Sequence, residues 1–333
     1  VLLPLGGVLQ RSPAQGTVMR LPRLDSTGTP PTDARPVDPR PAGRDTRVSV
    51  AAYGFLPEIA AARPYAGGYL AVVEAVARAV ASGADPERVR LSLQEYFPRP
   101  GDDPERWGLP AGALLGALDA QLDLETPAIG GKDSMSGSFE ELDVPPTLIA
   151  FAFCAAEERH VRSPELKEPG NTLLLLSPGA ATFTAPDSRH AEPRPAAGPA
   201  ELPDPPALQA LLRLVHSLSN DERLRSVTAL GADGVAAGLA RASFGNHLGL
   251  RAGPDFAGHD PGPAGKLFAP AIGSFLLEVT PDFLREIREG PWHALVAEGV
   301  EIRVLGETGG QAIDTGEWQL SLDEAFAAWQ GSL

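Results

Sequence analysis

Residues 127–139 read Pro127-Ala128-Ile129-Gly130-Gly131-Lys132-Asp133-Ser134-Met135-Ser136-Gly137-Ser138-Phe139. Gly130 and Gly131 allow close backbone approach to a ligand or a positive φ. Lys132 offers a compact positive charge. Ser134, Ser136 and Ser138 add short donors, and Asp133 can hold a hard metal through oxygen. Together these groups suit a magnesium-bound phosphate. The segment is not a P-loop: Gly131-Lys132 is followed by Asp133 instead of Ser or Thr, and Thr126 stands where the first glycine belongs. The same composition also describes a surface turn between a helix and a strand, with Lys132 and Asp133 solvated.

The flanking pattern makes this segment the link between a helix and a central strand. Upstream, Pro110 to Leu122 reads as a helix with Pro110 near its first turn and Leu114, Leu115 and Leu118 facing inward. Downstream, Thr147 to Cys154 is almost wholly apolar, which predicts a strand buried on both faces. Further out, Val48 to Tyr53 and Val89 to Leu93 read as strands. Gly68 to Ser82 reads as a helix stopped by Gly83. After residue 165 strands and helices alternate again: Thr172 to Leu176, Pro206 to Leu218, Ser226 to Leu230, Gly234 to Ser243, Gly273 to Thr280, Pro281 to Arg288, Glu301 to Leu305 and Leu322 to Trp329. The fold class expected is α/β (α+β). Residues 26–46 and 184–206 are Pro-rich and read as long loops, the second a linker or an insertion.

At 333 residues the chain has room for about two domains, and 43% hydrophobic residues suffice for packed cores. A formal net charge of −15 argues against nucleic acid and anionic membranes as partners. A single cysteine, Cys154, excludes an internal disulfide and a multi-cysteine zinc site, and its apolar setting predicts a buried thiol. No apolar run approaches the roughly 20 residues that span a bilayer, and a cytoplasmic setting is expected.

Gly130-Gly131-Lys132-Asp133-Ser134-Met135-Ser136-Gly137-Ser138-Phe139 followed by Leu142-Asp143-Val144-Pro145-Pro146-Thr147 resembles the second synthetase half of large, single-chain phosphoribosylformylglycinamidine synthase. The resemblance includes Pro4-Leu5-Gly6-Gly7-Val8, Gln94-Glu95-Tyr96-Phe97, Arg106-Trp107-Gly108, the run Leu114 to Gln121, Ser163-Pro164-Glu165 and Ser243-Phe244-Gly245-Asn246. It covers most of the chain outside the Pro-rich stretches. It implies a synthetase-like N-terminal domain (1–160) lending strands to a central barrel, and a C-terminal α/β domain (161–333) with an insertion at about 184–206. It also implies an ATP-dependent ligase of purine biosynthesis, with a glutamine amidotransferase supplying ammonia. The first synthetase half and the glutaminase domain would be partners lying outside this chain, so the chain alone is not expected to complete the reaction. The opening Val1-Leu2-Leu3-Pro4 is expected to lie inside a longer polypeptide.

The resemblance further implies an auxiliary nucleotide site holding ATP or ADP with Mg2+. Gly131, Lys132, Asp133, Ser134 and Ser136 would bind nucleotide, and Asp133 and Glu74 would bind metal. No catalytic residue is assigned. Arg78 departs from the family pattern, standing where some members carry an asparagine ligand, and its spacing from Glu74 suits an ion pair instead. A further aspartate ligand upstream of Glu74 has no counterpart. The turn Gly231-Ala232-Asp233-Gly234 is a reduced form of a phosphate-facing turn, and N-capping by Asp233 is the other reading. Two alternatives stay open: a non-catalytic nucleotide-binding or scaffold module, and a self-contained homodimeric synthetase or kinase of the same superfamily.

Overall fold

A computed structural model describes residues 5–22, 46–179, 202–253, 255–256 and 267–331. The expected loop at 26–46 and insertion at 184–206 lie almost wholly outside the described residues.

In the N-terminal part the elements are β1 (Leu5–Gly6), β2 (Ser12–Pro13), β3 (Gly16–Arg20), β4 (Arg47–Gly54), α1 (Pro57–Ala62), α2 (Pro64–Ala81), β5 (Arg90–Tyr96), α3 (Pro104–Asp123), β6 (Ala128–Lys132), β7 (Ser138–Phe139), β8 (Leu142–Asp143) and β9 (Thr147–Glu157). Five of them form one sheet in the order β3-β4-β9-β5-β6. The C-terminal part contributes β10 (Thr172–Pro178), α4 (Pro205–Leu218), β11 (Leu224–Ala229), α5 (Gly234–Phe244), β12 (Leu250–Ala252), β13 (Phe275–Val279), α6 (Phe283–Glu289), α7 (His293–Ala297), β14 (Val300–Thr308), β15 (Ala312–Asp314), β16 (Gln319–Ser321) and α8 (Leu322–Gly331). Its sheet runs β11-β13-β10-β14-β12-β15-β16. The fold is mixed α+β, as expected, and the N-terminal sheet is open: among the described residues no barrel closes.

Four consecutive leucines in β10 join two cores. Leu174 and Leu176 belong to a large cluster that continues through α4 and α2 to the N-terminal sheet, while Leu173 and Leu175 face a second cluster with Leu239, Phe256 and Ile313. Such a run, apolar at every position, is what a strand covered on both faces needs. Helix α2 is sandwiched between the two sheets and is buried from Gly67 through Ala77. It therefore lacks the solvated stripe of an ordinary amphipathic helix.

Three local expectations are corrected. Helix α3 starts at Pro104, because Asp103 caps it by accepting from the Glu105 N–H at 2.9 Å and Pro104 fits the first turn. Pro110 lies inside the helix, where it removes one backbone donor.

Leu114, Leu115 and Leu118 do not face inward. They are 44%, 56% and 47% exposed, whereas Ala113, Gly116, Ala117 and Ala120 are buried against α2. Small residues let the two helix backbones approach closely, and the leucines are left outside. Leu115→Lys with Leu118→Lys should change urea-unfolding stability by no more than about 0.5 kcal/mol each. Ala117→Leu should cost about 1–3 kcal/mol by overpacking.

Strand β9 is covered on one face only. Phe153 is 45% exposed, and Tyr53 and Met19 on the neighbouring strands of the same face are 40% and 60% exposed. The apolar run hid the alternation because both faces carry apolar side chains.

Candidate functional site

Gly130, Gly131 and Lys132 lie in strand β6, not in a loop. The strand runs parallel to β5 along the sheet edge, with Gly131 opposite Leu93 and Lys132 opposite Gln94. A Cβ on Gly131 would sit 2.5 Å from the Leu93 carbonyl oxygen, whereas one on Gly130 would meet nothing within 4 Å. The second glycine therefore permits strand pairing, and the first leaves open backbone. Lys132 Nζ stands 4.5 Å from the centre of the Tyr96 ring, an arrangement favoured by the ring's negative face.

Beyond Lys132 the chain folds back over the end of β5. The Phe97 N–H donates to the Ser134 carbonyl at 2.9 Å, and the Gly137 N–H donates to the Phe97 carbonyl at 2.9 Å. The Ser134 and Ser136 hydroxyls meet at 3.1 Å. Ser138 is committed to structure: its oxygen accepts from the Arg99 N–H at 2.8 Å, and its hydroxyl donates to Asp143. Asp143 also pairs with Arg106 at 2.7 Å. The Ser138 hydroxyl and then Arg106 hold its carboxyl below the usual range. Lys132, Asp133 and Ser136 are exposed and Ser134 is half-buried, so a cation, an acid and two hydroxyls lie close together along this segment.

Glu95, in the Gln94–Phe97 segment at the end of β5, is not among the binding or metal residues that the resemblance implies. It is 3% exposed, and its Oε1 has no hydrogen-bond partner. Burial, and secondarily the nearby Asp133 charge, push its carboxyl up to about 7. The signal was available in principle: Leu91, Leu93 and Glu95 alternate onto one face of β5, so an acid follows two apolar positions.

Glu74 is found elsewhere and is not solvated. It is 2% exposed. Its Oε2 accepts from the Phe55 N–H at 2.9 Å, and its Oε1 meets Arg78 Nη2 at 2.7 Å. The i,i+4 pair expected from the sequence is present. Arg78 also donates to the Tyr53 carbonyl at 2.9 Å and lies over the Tyr53 ring.

The Gly231–Gly234 turn closes over this pair. A Cβ on Gly231 would lie 3.2 Å from Glu74 Oε1. Gly234 has φ +75, and a Cβ there would meet the Ala269 carbonyl at 2.5 Å, so the turn requires glycine at that position. Asp233 does not cap α5 through its side chain but forms an ion pair with Arg241 instead.

Sheet register separates the two proposed metal ligands. Gly54 lies opposite Ala150, Ala150 opposite Leu93, and Leu93 opposite Gly131. Three strand spacings put the Glu74 end of this row about 14 Å from the Asp133 end. Two ligands of one magnesium ion stand about 2.1 Å from the metal, so Asp133 and Glu74 do not share an ion. Among the described residues no group of three or more His, Cys, Asp or Glu side chains is placed to hold one. The donor set does not fit the magnesium that the resemblance implies. Other polar residues near these segments are structural: Asn246 bridges the Leu166 carbonyl and the Val8 N–H, and His247 meets Asp323 at 3.1 Å. Cys154 is buried, which raises its thiol pKa.

No family model matches the chain. Individual relatives do. Phosphoribosylformylglycinamidine synthase subunit PurL of Thermoplasma acidophilum is 25% identical over 303 residues, covering 88% of this chain and 38% of the relative. PurL of a Nocardioides species is 27% identical over 277 residues, covering 81% and 34%. The chain therefore spans about a third of the length of the curated relatives it matches. Among solved structures, Thermotoga maritima PurL complexed with ADP superposes with a TM-score of 0.62 at 16% identity, over 84% of this chain and 44% of that one. The tt0281 protein of Thermus thermophilus gives a TM-score of 0.58 at 18% identity, over 80% and 85%. No helix among the described residues is long and apolar enough to cross a membrane. The chain is thus similar in sequence to PurL over most of its length, and it shares the fold of a solved PurL.

Proposed function

We propose that the chain is the second synthetase-like half of a phosphoribosylformylglycinamidine synthase, divided near residue 160 into an N-terminal domain (1–160) and a C-terminal domain (161–333). The observation that carries this reading is the alignment to PurL across 75–88% of the chain. The whole enzyme would phosphorylate the amide oxygen of formylglycinamide ribonucleotide with ATP and then displace phosphate with glutamine-derived ammonia. The first half and a glutaminase domain are the proposed partners. The role of this half is structural, with an auxiliary nucleotide site in which Gly131, Lys132, Asp133, Ser134 and Ser136 receive ADP or ATP phosphates.

Two features support the structural role. One is the open face of the N-terminal sheet, on which Met19, Tyr53 and Phe153 are all exposed. An apolar sheet face of this kind suits cover by another set of strands. The other is the pairing of Glu74 with Arg78 and of Asp233 with Arg241, so each of these two acids already has a counter-charge. The non-catalytic module and the homodimeric synthetase remain as rival outcomes of one experiment. Calorimetry on the purified chain should show ADP binding at submillimolar concentration, weakened about tenfold by Lys132→Ala, which corresponds to about 1.4 kcal/mol. An amidation assay with ammonium chloride should show no turnover by the chain alone. Absence of binding at millimolar ADP rejects the nucleotide site, and turnover by the chain alone establishes the self-contained synthetase.

A further inference from the structure

The junction between the two sheets holds two acids, and each already has an arginine. Glu74 on α2 has both carboxylate oxygens engaged: Oε2 by the Phe55 N–H and Oε1 by Arg78. Asp233, on the turn that closes over it, is held in a fork by Arg241. The charged groups acting on Glu74 are Arg78, Asp233 and Arg241, so two negative charges face two positive ones and the cluster is neutral.

A buried carboxylate needs a counter-charge, because desolvation of a lone charge is far more costly than any single contact returns. A protein can supply that charge as a metal ion or as a guanidinium. Here the geometry favours the guanidinium. Arg78 reaches Glu74 across one helical turn. Its second nitrogen satisfies the Tyr53 carbonyl at 2.9 Å at the end of β4, and its plane lies over the Tyr53 ring at 5.4 Å. A divalent ion would have to displace it from all three contacts. The ion would also add two positive charges to a neutral cluster. The facing turn does bring a carboxylate close, with Asp233 Oδ1 3.5 Å from a Cβ placed on Gly231, but Arg241 already holds both of its oxygens.

We propose that Arg78 is the resident cation of this junction, taking the place of a metal ion on Glu74, and that the attachment of α2 and β4 to the Gly231–Gly234 turn is therefore independent of divalent metal. Arg78 is a positioning residue: it acts by holding the Glu74 carboxylate under the turn. The assignment stands whether or not the Lys132 segment binds ADP, because the two lie at opposite ends of the sheet row.

The test uses the full chain in EDTA and in millimolar MgCl2, with Mn2+ as a paramagnetic probe. The wild type should melt at the same temperature in both buffers and show no Mn2+ signal that Glu74→Gln removes. Arg78→Lys should retain most of the melting temperature. Arg78→Asn strips the cation and leaves a short oxygen donor one turn from Glu74. It should melt lower by roughly 5 °C in EDTA, regain part of that loss in MgCl2, and acquire a Mn2+ signal that the second change Glu74→Gln abolishes. A merely structural arginine would not create that metal dependence. The proposal is overturned if the wild type binds Mn2+ through Glu74, if MgCl2 raises its melting temperature while Glu74→Gln does not respond, or if Arg78→Asn melts as the wild type does. Should Arg78→Asn fail to fold, the wild type and Glu74→Gln decide the matter: a shared absence of Mn2+ binding supports the proposal, and a signal lost in Glu74→Gln overturns it.

Discussion

Gly116→Ala should destabilise the chain by about 3 kcal/mol, at the upper end of overpacking costs, although alanine is the better helix former. A Cβ at this position would lie 1.9 Å from the Tyr65 carbonyl oxygen and 3.0 Å from the Tyr69 nitrogen. Both atoms belong to the backbone of α2, so no side-chain rotation relieves the clash and the two helices must separate. Separation is costly because α2 is the shared wall of both sheets: moving it opens the cluster that runs from Val48 to Phe275. Gly68, on the facing helix, is bound by the same constraint, with a Cβ 2.1 Å from the Ala113 carbonyl.

The control lies one turn away. A Cβ on Gly112 would meet Pro64 Cβ at 3.6 Å, an ordinary contact. Gly112→Ala should therefore stabilise, by about 0.5–1 kcal/mol from backbone entropy. Opposite signs for two Gly→Ala changes in one helix, read from urea midpoints, would establish close helix approach as the cause. Equal signs would refute it.

The second large effect is a pH dependence carried by Glu95. Its carboxyl moves from the ordinary 4.5 to about 7 in the folded chain, first because it is buried and second because Asp133 is near. The native state therefore binds this proton more tightly than the unfolded chain does. Stability from this group is fully present below pH 4.5 and is lost as pH rises through 7. The span corresponds to about 3 kcal/mol at alkaline pH. Glu95→Gln keeps the shape and removes the titration. It should be more stable than the wild type by about 2 kcal/mol at pH 8.5, and the difference should vanish near pH 4.5. Asp133→Asn should reproduce the smaller part of the effect. Parallel stability curves for wild type and Glu95→Gln between pH 5 and 8.5 would show that Glu95 gains a partner in solution and that its burial does not govern it.

Much of this architecture can be read locally, and the failures share one cause. The strands at Val48, Thr172 and Glu301 and the helices at Pro206 and Gly234 follow from period, breakers and caps, which act within a few residues. The Arg78–Glu74 pair follows from i,i+4 spacing alone. In contrast, α3 gives two plausible inner faces, one of leucines and one of alanines and glycine. Hydrophobicity favours the leucines, while close packing on α2 selects the small residues. The run at Thr147 is apolar throughout and cannot say which of its faces a helix covers. Gly130-Gly131 has the composition of a loop but pairs as an edge strand, because a ladder partner from β5 is supplied from far away in sequence.

The candidate site divides along the same line. The residue types that suit an anion, Lys132 with its serines and glycines, are a local property of the chain. Which groups share a ligand is not local. Register across four strands sets the strand positions beside Asp133 and Glu74 about 14 Å apart, and the same fold brings Gly231 to Glu74 across more than a hundred residues. By itself the sequence determined the chemical inventory, the α+β pattern and the similarity to PurL. Only the tertiary structure decided that Glu95 is a buried acid and Glu74 a neutralised one, because burial and pairing depend on atoms that the chain brings together only when its two sheets close on α2.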